Sequence, residues 1–379
     1  MKTWYAAAFA ALVGLLFVNS VAMAQQKAEE EGLQLDSPTL APAPAPVSPS
    51  LGPFGNLNVG GALDYRFMIP TNGDSPSLGI HVNELFVTTN IGDNITILAE
   101  QLLLTSDLET VVGQDHGFVY VIFTNLPGLP SDLALKVGRL RFRYGIDAVS
   151  DAPANPARNL VYKNLGFISD KGIELSGYYQ DFDYSAAVLM GPDFISGSDG
   201  VKTNAENQNR PVAIRLGYES PWDVNVGLSG FSGKAYRFEN GPMYAMDDML
   251  TNGMLDRSRL VFKRRGSLDL RYAIGRWDFA GEVTIGRERD AGEAVDVRGY
   301  YARVDYLVVP QKLTALLQYD LWRDGLVQTR DDGVITAGLS YTPLDQVTLR
   351  LMGLVSDATV SGEDDAMDTM VVAQALLTF

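Results

Sequence analysis

The sequence predicts an all-β fold: a transmembrane antiparallel β-barrel of about sixteen strands, preceded by a disordered N-terminal arm. Three observations predict it. Long segments alternate between apolar and polar residues, the connections between them alternate between short and long, and the last segment ends on the aromatic residue Phe379.

The alternation begins after Asn56. Leu57, Val59, Gly61, Leu63, Tyr65, Phe67 and Ile69 share one face of the first segment, and Asn58, Gly60, Ala62, Asp64 and Arg66 share the other. Segments of roughly 9–14 residues of this kind recur, about twice an ordinary sandwich strand and enough for a tilted strand to cross lipid. Hydrophobic residues make up 46% of the 379-residue chain, and the mean hydropathy is +0.01. Beyond the first residues there is no run of about 18 apolar residues, which excludes a bundle of membrane helices. Near-zero hydropathy fits a barrel, whose lipid-facing residues alternate with polar ones.

The connections sort by length. Short ones fall at 91–94, 127–132, 181–183, 220–223, 275–276, 310–311 and 342–346. Between them lie longer polar segments at 70–79, 106–116, 143–170, 191–209, 235–257, 287–296, 323–332 and 356–368. Short turns on one side and long loops on the other correspond to periplasmic and extracellular ends, and an even strand count places both termini in the periplasm. In the last segment Val371, Ala373, Ala375, Leu377 and Phe379 alternate with Val372, Gln374, Leu376 and Thr378. Phe379 is expected to face lipid and to pair with the strand that starts near Asn56. It is similar to the C-terminal signal read by the outer-membrane barrel assembly machinery.

The start of the chain reads as an export signal over 1–24, with Lys2, an apolar core Ala6–Val18 and cleavage after Ala24 in Val21-Ala22-Met23-Ala24. Residues 25–55 read as a periplasmic linker. Ala41-Pro42-Ala43-Pro44-Ala45-Pro46 is a stiff spacer whose prolines lack the N–H a strand ladder needs. Residues 56–379 form the barrel domain.

There are no cysteines, which excludes disulfides, thiolate metal sites, cysteine nucleophiles and covalent haem, and fits transit through an oxidising periplasm. The net charge of −16 argues against nucleic-acid binding. The two histidines, His81 and His116, have no nucleophile motif around them. No enzymatic activity, cofactor or metal is expected. The acidic runs Asp247-Asp248, Asp331-Asp332 and Glu363-Asp364-Asp365 read as solvated loops, with divalent bridging of lipopolysaccharide the sharper alternative.

Several stretches carry a family resemblance. Lys136-Val137-Gly138-Arg139-Leu140-Arg141-Phe142 followed by Tyr144-Gly145 resembles a strand end written V-G-[RQ]-x-x-x-P-[FY]-G, with Arg143 standing where the pattern has Pro. Ser169-Asp170-Lys171-Gly172-Ile173-Glu174-Leu175-Ser176-Gly177 resembles the next strand. Gly299-Tyr300-Tyr301-Ala302 with Tyr306, Val309-Pro310 and Gln318-Tyr319-Asp320 resembles a late hairpin, Gln318 replacing an Arg. In this order they are similar to the phosphate-selective porin O/P superfamily, over roughly 56–379. The resemblance implies a homotrimer in outer-membrane lipid and lipopolysaccharide, a water-filled channel for small solutes, and a loop after residue 142 folded into the lumen.

Selectivity in such a barrel comes from lumen charges and any inward loop. Parity puts Arg259, Lys263, Arg265, Asp269 and Arg271 on one face of the segment 259–274, opposite Leu260, Phe262, Leu268, Leu270, Tyr272 and Ile274. The same test turns Arg215, Arg303 and Arg350 inward. Cations about 7 Å apart per step of two form a basic stripe that can pass an anion from site to site. The competing reading is that they pair with the inward acids Glu100, Glu174, Glu282 and Asp305 and hold the wall together. Arg264 falls on the lipid side by parity. The constriction candidates on 143–170 are Arg143, Arg158 and Lys163 against Asp147 and Asp151. Trp222 and Trp277, at short turns, are expected in the periplasmic aromatic girdle, and Trp322 in the opposite one.

Three function classes follow: a channel for passive diffusion of small anionic solutes, an outer-membrane hydrolase for which the histidines offer nothing, and a scaffold barrel that sheathes a periplasmic or electron-transfer partner through the Pro-rich arm.

Overall fold

The computed structural model describes residues 57–70, 77–104, 119–126, 128, 130, 132–146, 160–161, 169–191, 210–238, 255–290, 293–324, 330–360 and 366–379. The export signal and the Pro-rich linker lie outside them. Sixteen antiparallel strands close into one barrel, each paired with its neighbours in the chain and the last with the first. They are β1 (Leu57–Pro70), β2 (Ser77–Ile91), β3 (Ile95–Leu104), β4 (Val119–Phe123), β5 (Ala134–Arg141), β6 (Ser169–Tyr179), β7 (Phe182–Leu189), β8 (Val212–Glu219), β9 (Val224–Phe238), β10 (Leu255–Ile274), β11 (Trp277–Asp290), β12 (Glu293–Val309), β13 (Leu313–Asp324), β14 (Arg330–Leu344), β15 (Val347–Val360) and β16 (Ala366–Thr378).

The seam runs from Ala62↔Thr378 to Pro70↔Met370. Gly61 N donates to Phe379 O at 2.9 Å and Phe379 N donates to Gly61 O at 3.1 Å, so the chain's last peptide unit completes the ladder. Phe379 is exposed on the outer side, like Leu377. Full closure leaves no unpaired edge, which is the only way a sheet satisfies its backbone in hydrocarbon.

The two faces have opposite chemistry. Tyr65, Phe67, Ile173, Ile214, Leu216, Leu268, Leu270, Val283, Ile285, Leu317 and Leu351 are exposed on the outside. Asp64, Arg66, Glu174, Ser229, Thr284, Gln318, Thr336 and Gln374 are buried on the inside. Each outer Leu or Ile kept in water instead of hydrocarbon costs roughly 1.5–3 kcal/mol, so this band demands an apolar surround. At the short-turn end Trp277 packs on Tyr306 (ring centroids 4.4 Å), Tyr272 on Phe279 (6.4 Å) and Phe182 on Tyr218 (5.0 Å). Trp222 is exposed in the β8–β9 turn beside them. The turns reverse through residues of positive φ: Gly92 and Gly275 (59°), Gln180 (55°), Asp223 (58°) and Gln311 (60°).

Two expectations are corrected. The polar segment 287–296 is strand over its described residues, with β11 and β12 paired out to Asp290↔Glu293, and the strands reach into 235–257 from both sides, β9 continuing to Phe238 and β10 starting at Leu255. Charge there resembled a loop, but it alternates in and out, and Arg287 bonds Asp296 across the ladder at 2.8 Å. Trp322 does not join an outer girdle. It faces inward and is buried with Val297, Val334 and Leu354, because it keeps the parity of Gln318 and Asp320 while Leu317 and Tyr319 take the outer face.

The wall is uneven. β5, β7 and β8 have 8 residues each, against 15, 20, 14 and 17 in β9 to β12. The segment that leaves the low arc after β5 turns into the barrel.

Candidate functional site

The inward turn starts at the end of β5. Leu140, Phe142 and Tyr144 are buried against Ala187, Leu189, Ala213 and Phe231 on the inner faces of β7, β8 and β9. Phe142 stacks on Phe231 at 5.9 Å and Tyr144 meets the same ring edge-on at 6.4 Å. Small inner residues on β7 and β8 leave the room these rings fill. The next residue, Gly145, has φ +64°, and a Cβ there would sit 2.3 Å from Glu282 Oε1. Gly145 N donates to Ser229 Oγ (3.1 Å), Ile146 N donates to Glu282 Oε2 (3.1 Å), and Arg215 Nη1 donates to Gly145 O (3.2 Å). One polar network on β8, β9 and β11 thus pins the neck of the segment.

The chain is seated a second time at residues 160–161. Leu160 and Val161 are buried, Leu160 within the cluster of Val297, Trp322, Val334 and Leu354. Leu160 N donates to Asp320 Oδ1 at 3.2 Å. Gly299 makes the approach possible, since a Cβ there would lie 2.7 Å from Val161 Cγ2. The inward segment is thus seated against β7–β11 at residues 142–146 and against β12–β15 at residues 160–161. Burying two aliphatic side chains at that end contributes roughly 3–6 kcal/mol.

Cations and acids on the inner wall meet in pairs. Arg215 grips Asp269 with both terminal nitrogens, Nη2 to Oδ1 at 2.9 Å. Arg265 pairs with Glu288, with Lys263 Nζ 3.7 Å from the same carboxylate, and the Arg265 guanidinium also lies 4.6 Å over the Trp322 ring. Arg271 pairs with Asp278 (2.5 Å), Arg303 with Asp305 (2.8 Å), Lys136 with Glu174 (2.9 Å), Arg66 with Asp64 (2.6 Å) and Arg143 with Asp183 (3.4 Å). Arg350 donates to Gln374 Oε1 at 2.7 Å, and Gln374 donates on to Asp64 at 2.7 Å.

The expected stripe residues Arg215, Lys263, Arg265, Arg271, Arg303 and Arg350 thus share the inner face, held by partners. Arg259 belongs to β10, but its side chain lies outside the described residues. Arg158, Lys163, Asp147 and Asp151 also lie outside them. Arg264 points outward, its guanidinium 5.3 Å over the Phe262 ring. Of the expected inward acids, Glu174 and Asp305 hold cations, whereas Glu282 holds the backbone of the inward segment. Sequence reasoning missed Asp64, Arg66, Lys136 and Glu288 as members of these pairs, although parity alone marks them as inward. It missed Gly145 and Trp322 as anchors of the inward segment because those contacts join residues far apart in sequence.

Three of the pairs are asymmetric toward water, whereas Arg66–Asp64 and Lys263/Arg265–Glu288 are buried on both sides. Lys136 keeps 19% of its side chain exposed against 0% for Glu174, Arg215 15% against 4% for Asp269, and Arg271 53% against 29% for Asp278. Arg143–Asp183 and Arg303–Asp305 are evenly exposed. Asp170 and Asp320 are sealed by backbone donors, Asp170 Oδ2 accepting from Gly191 N at 2.6 Å.

No protein-family model and no curated relative matches this sequence. Solved structures do match in fold. The anion-selective porin from Comamonas acidovorans is 13% identical, with a TM-score of 0.60 over 85% of this chain and 99% of that one. OmpT, an outer membrane protein of Vibrio cholerae, in its trimer form, is 12% identical, with a TM-score of 0.59 over 85% and 99%. The outer membrane channel DcaP of Acinetobacter baumannii is 9% identical, with a TM-score of 0.58 over 86% and 97%. The chain therefore has the fold of outer-membrane porins, a closed barrel of sixteen strands.

Proposed function

We propose that this protein is an outer-membrane porin of a Gram-negative bacterium, forming a water-filled channel for passive diffusion of small anionic solutes. The observation that carries the anionic part is the asymmetry of three inner-wall pairs, Lys136–Glu174, Arg215–Asp269 and Arg271–Asp278, in which the carboxylate is the more deeply buried partner and the cation keeps the water. A solvated guanidinium draws an anion inward without trapping it. The barrel fold and the inward segment, seated at residues 142–146 and 160–161, support a channel narrowed by that segment. In this reading Arg215, Lys263, Arg265, Arg271, Arg303 and Arg350 line the pore, Arg259 extends the row, and Arg143, Arg158, Lys163, Asp147 and Asp151 shape the constriction. Phe379 serves as the assembly signal.

The same reading makes residues 1–24 a cleaved export signal, residues 25–55 a periplasmic linker, and the assembly a homotrimer. The ordered motifs support membership of the phosphate-selective porin O/P superfamily. No catalytic role is proposed. Insertion of the purified protein into planar bilayers tests the channel: stepwise ohmic conductance is expected. Stable insertion without conductance overturns the porin reading in favour of a scaffold barrel.

A further inference from the structure

The outer face carries a groove of about 960 Å³ over β8–β12 that the channel does not use. Its floor is bare backbone. Gly266 on β10 pairs with Gly230 on β9 and with Ile285 on β11, all facing outward, and a Cβ on Gly266 would meet nothing closer than Ser229 O at 3.9 Å. Ile214 and Tyr300 form apolar flanks.

One end of the groove is basic. Arg264 pairs across the ladder with Arg287, and Ile285 with Arg298. Asp296 is the acid in this group and is bonded to Arg287, so Arg264 and Arg298 add positive charge that this carboxylate does not balance. In a chain of net charge −16 this is a local reversal of sign. Its height is set by β11. Trp277, Phe279, Gly281, Val283 and Ile285 are the outward residues from the short-turn end, spanning about 26 Å of strand and about 20 Å along the normal at usual tilt. Arg287 is the next outward residue. The basic end therefore lies where an apolar band about 25 Å tall gives way to headgroups, on the side away from the short turns.

We infer that this groove binds a phosphorylated glycolipid of the outer leaflet, of the lipid A class. Its phosphates would rest on Arg264, Arg287 and Arg298, and an acyl chain would lie over Gly230 and Gly266. Charge complementarity selects the occupant. The row spans two strand spacings, about 10 Å, wider than one phosphate and suited to a headgroup carrying two. Guanidiniums hold phosphate oxygens through paired donors. This inference rests on the outer-membrane placement proposed above, and the test separates the two.

The full chain in detergent is examined by native mass spectrometry with diphosphorylated lipid A, monophosphorylated lipid A and phosphatidylglycerol, and its conductance is read in parallel. Retention of diphosphorylated lipid A is expected, weaker for the monophosphorylated form. Removing two cations with R264A/R298A is expected to lower it about tenfold. G266L fills the floor without changing charge and is expected to abolish acyl seating, with conductance unchanged in both variants. The inference is overturned if neither variant alters binding, or if phosphatidylglycerol binds as well as lipid A. It is also overturned if G266L shifts the oligomeric state in lipid-free protein, since the groove would then hold a second copy. Binding without conductance overturns the channel alone.

Discussion

Two arcs of the barrel wall do different work. The low arc, β4 to β8, includes the eight-residue strands β5, β7 and β8, and its inner face near the rim is apolar, built from Leu140, Ala187, Leu189 and Ala213. The tall arc, β9 to β16, presents Lys263, Arg265, Asp269, Glu282, Glu288, Gln318, Asp320 and Gln374 inward. The low arc launches the inward segment by packing rings against small residues. The tall arc receives it with carboxylates and with Trp322. Apolar packing and the hydrogen bond to Glu282 fix where the segment leaves the wall, and the hydrogen bond to Asp320 fixes where it lands.

The bond between the arcs is the place to break this arrangement. Arg215→Ala on the low arc leaves Asp269 of the tall arc buried without its bidentate partner, an expected loss of about 3–5 kcal/mol. Denaturant unfolding in detergent checks it, and Arg215→Ala/Asp269→Ala should recover most of the loss. Equal losses in the single and double variants would mean that the pair is not what joins the arcs. Trp322→Ala removes the floor under Leu160 and is expected to cost about 3–5 kcal/mol, felt at the landing site. The readout is protease cutting between residues 147 and 159 together with larger single-channel conductance.

Gly145→Leu acts on the neck. A left-handed residue with a side chain costs about 1–2 kcal/mol before any collision with Glu282. Its expected effect is a noisier, wider channel in an intact barrel, and an unchanged current trace would show that the neck is not seated by Glu282. Arg271→Ala should change stability by under about 1 kcal/mol, since its ion pair is half exposed, yet it removes the most open cation of the inner wall pairs. It sharpens the contrast by separating structural from conductive arginines.

Much of the fold was legible from period alone. Tyr65, Phe67 and Ile69 against Asp64 and Arg66 already separate outside from inside, and an even strand count with Phe379 last implies closure. The same parity placed Arg264 outward and Arg265 inward. Strand ends at the long-loop side were less legible, because Arg287 and Asp296 are charged wherever they lie and only their cross-strand bond makes them strand. The candidate site was half legible. The inward face of each cation follows from sequence, but its partner does not, since Arg215 finds Asp269 across 54 positions and Leu160 finds Asp320 across 160. Trp322 misled because tryptophan's preference for membrane interfaces competes with strand parity, and parity won.

The most direct measurement of the central claim is the reversal potential in a potassium chloride gradient, taken on the wild type and on Arg271→Ala. The water-facing cations of Lys136–Glu174, Arg215–Asp269 and Arg271–Asp278 predict a potential of the sign that marks chloride as the faster ion, moving toward zero in the Arg271→Ala variant. A cation-selective wild type, or a potential that Arg271→Ala leaves untouched, would contradict the account.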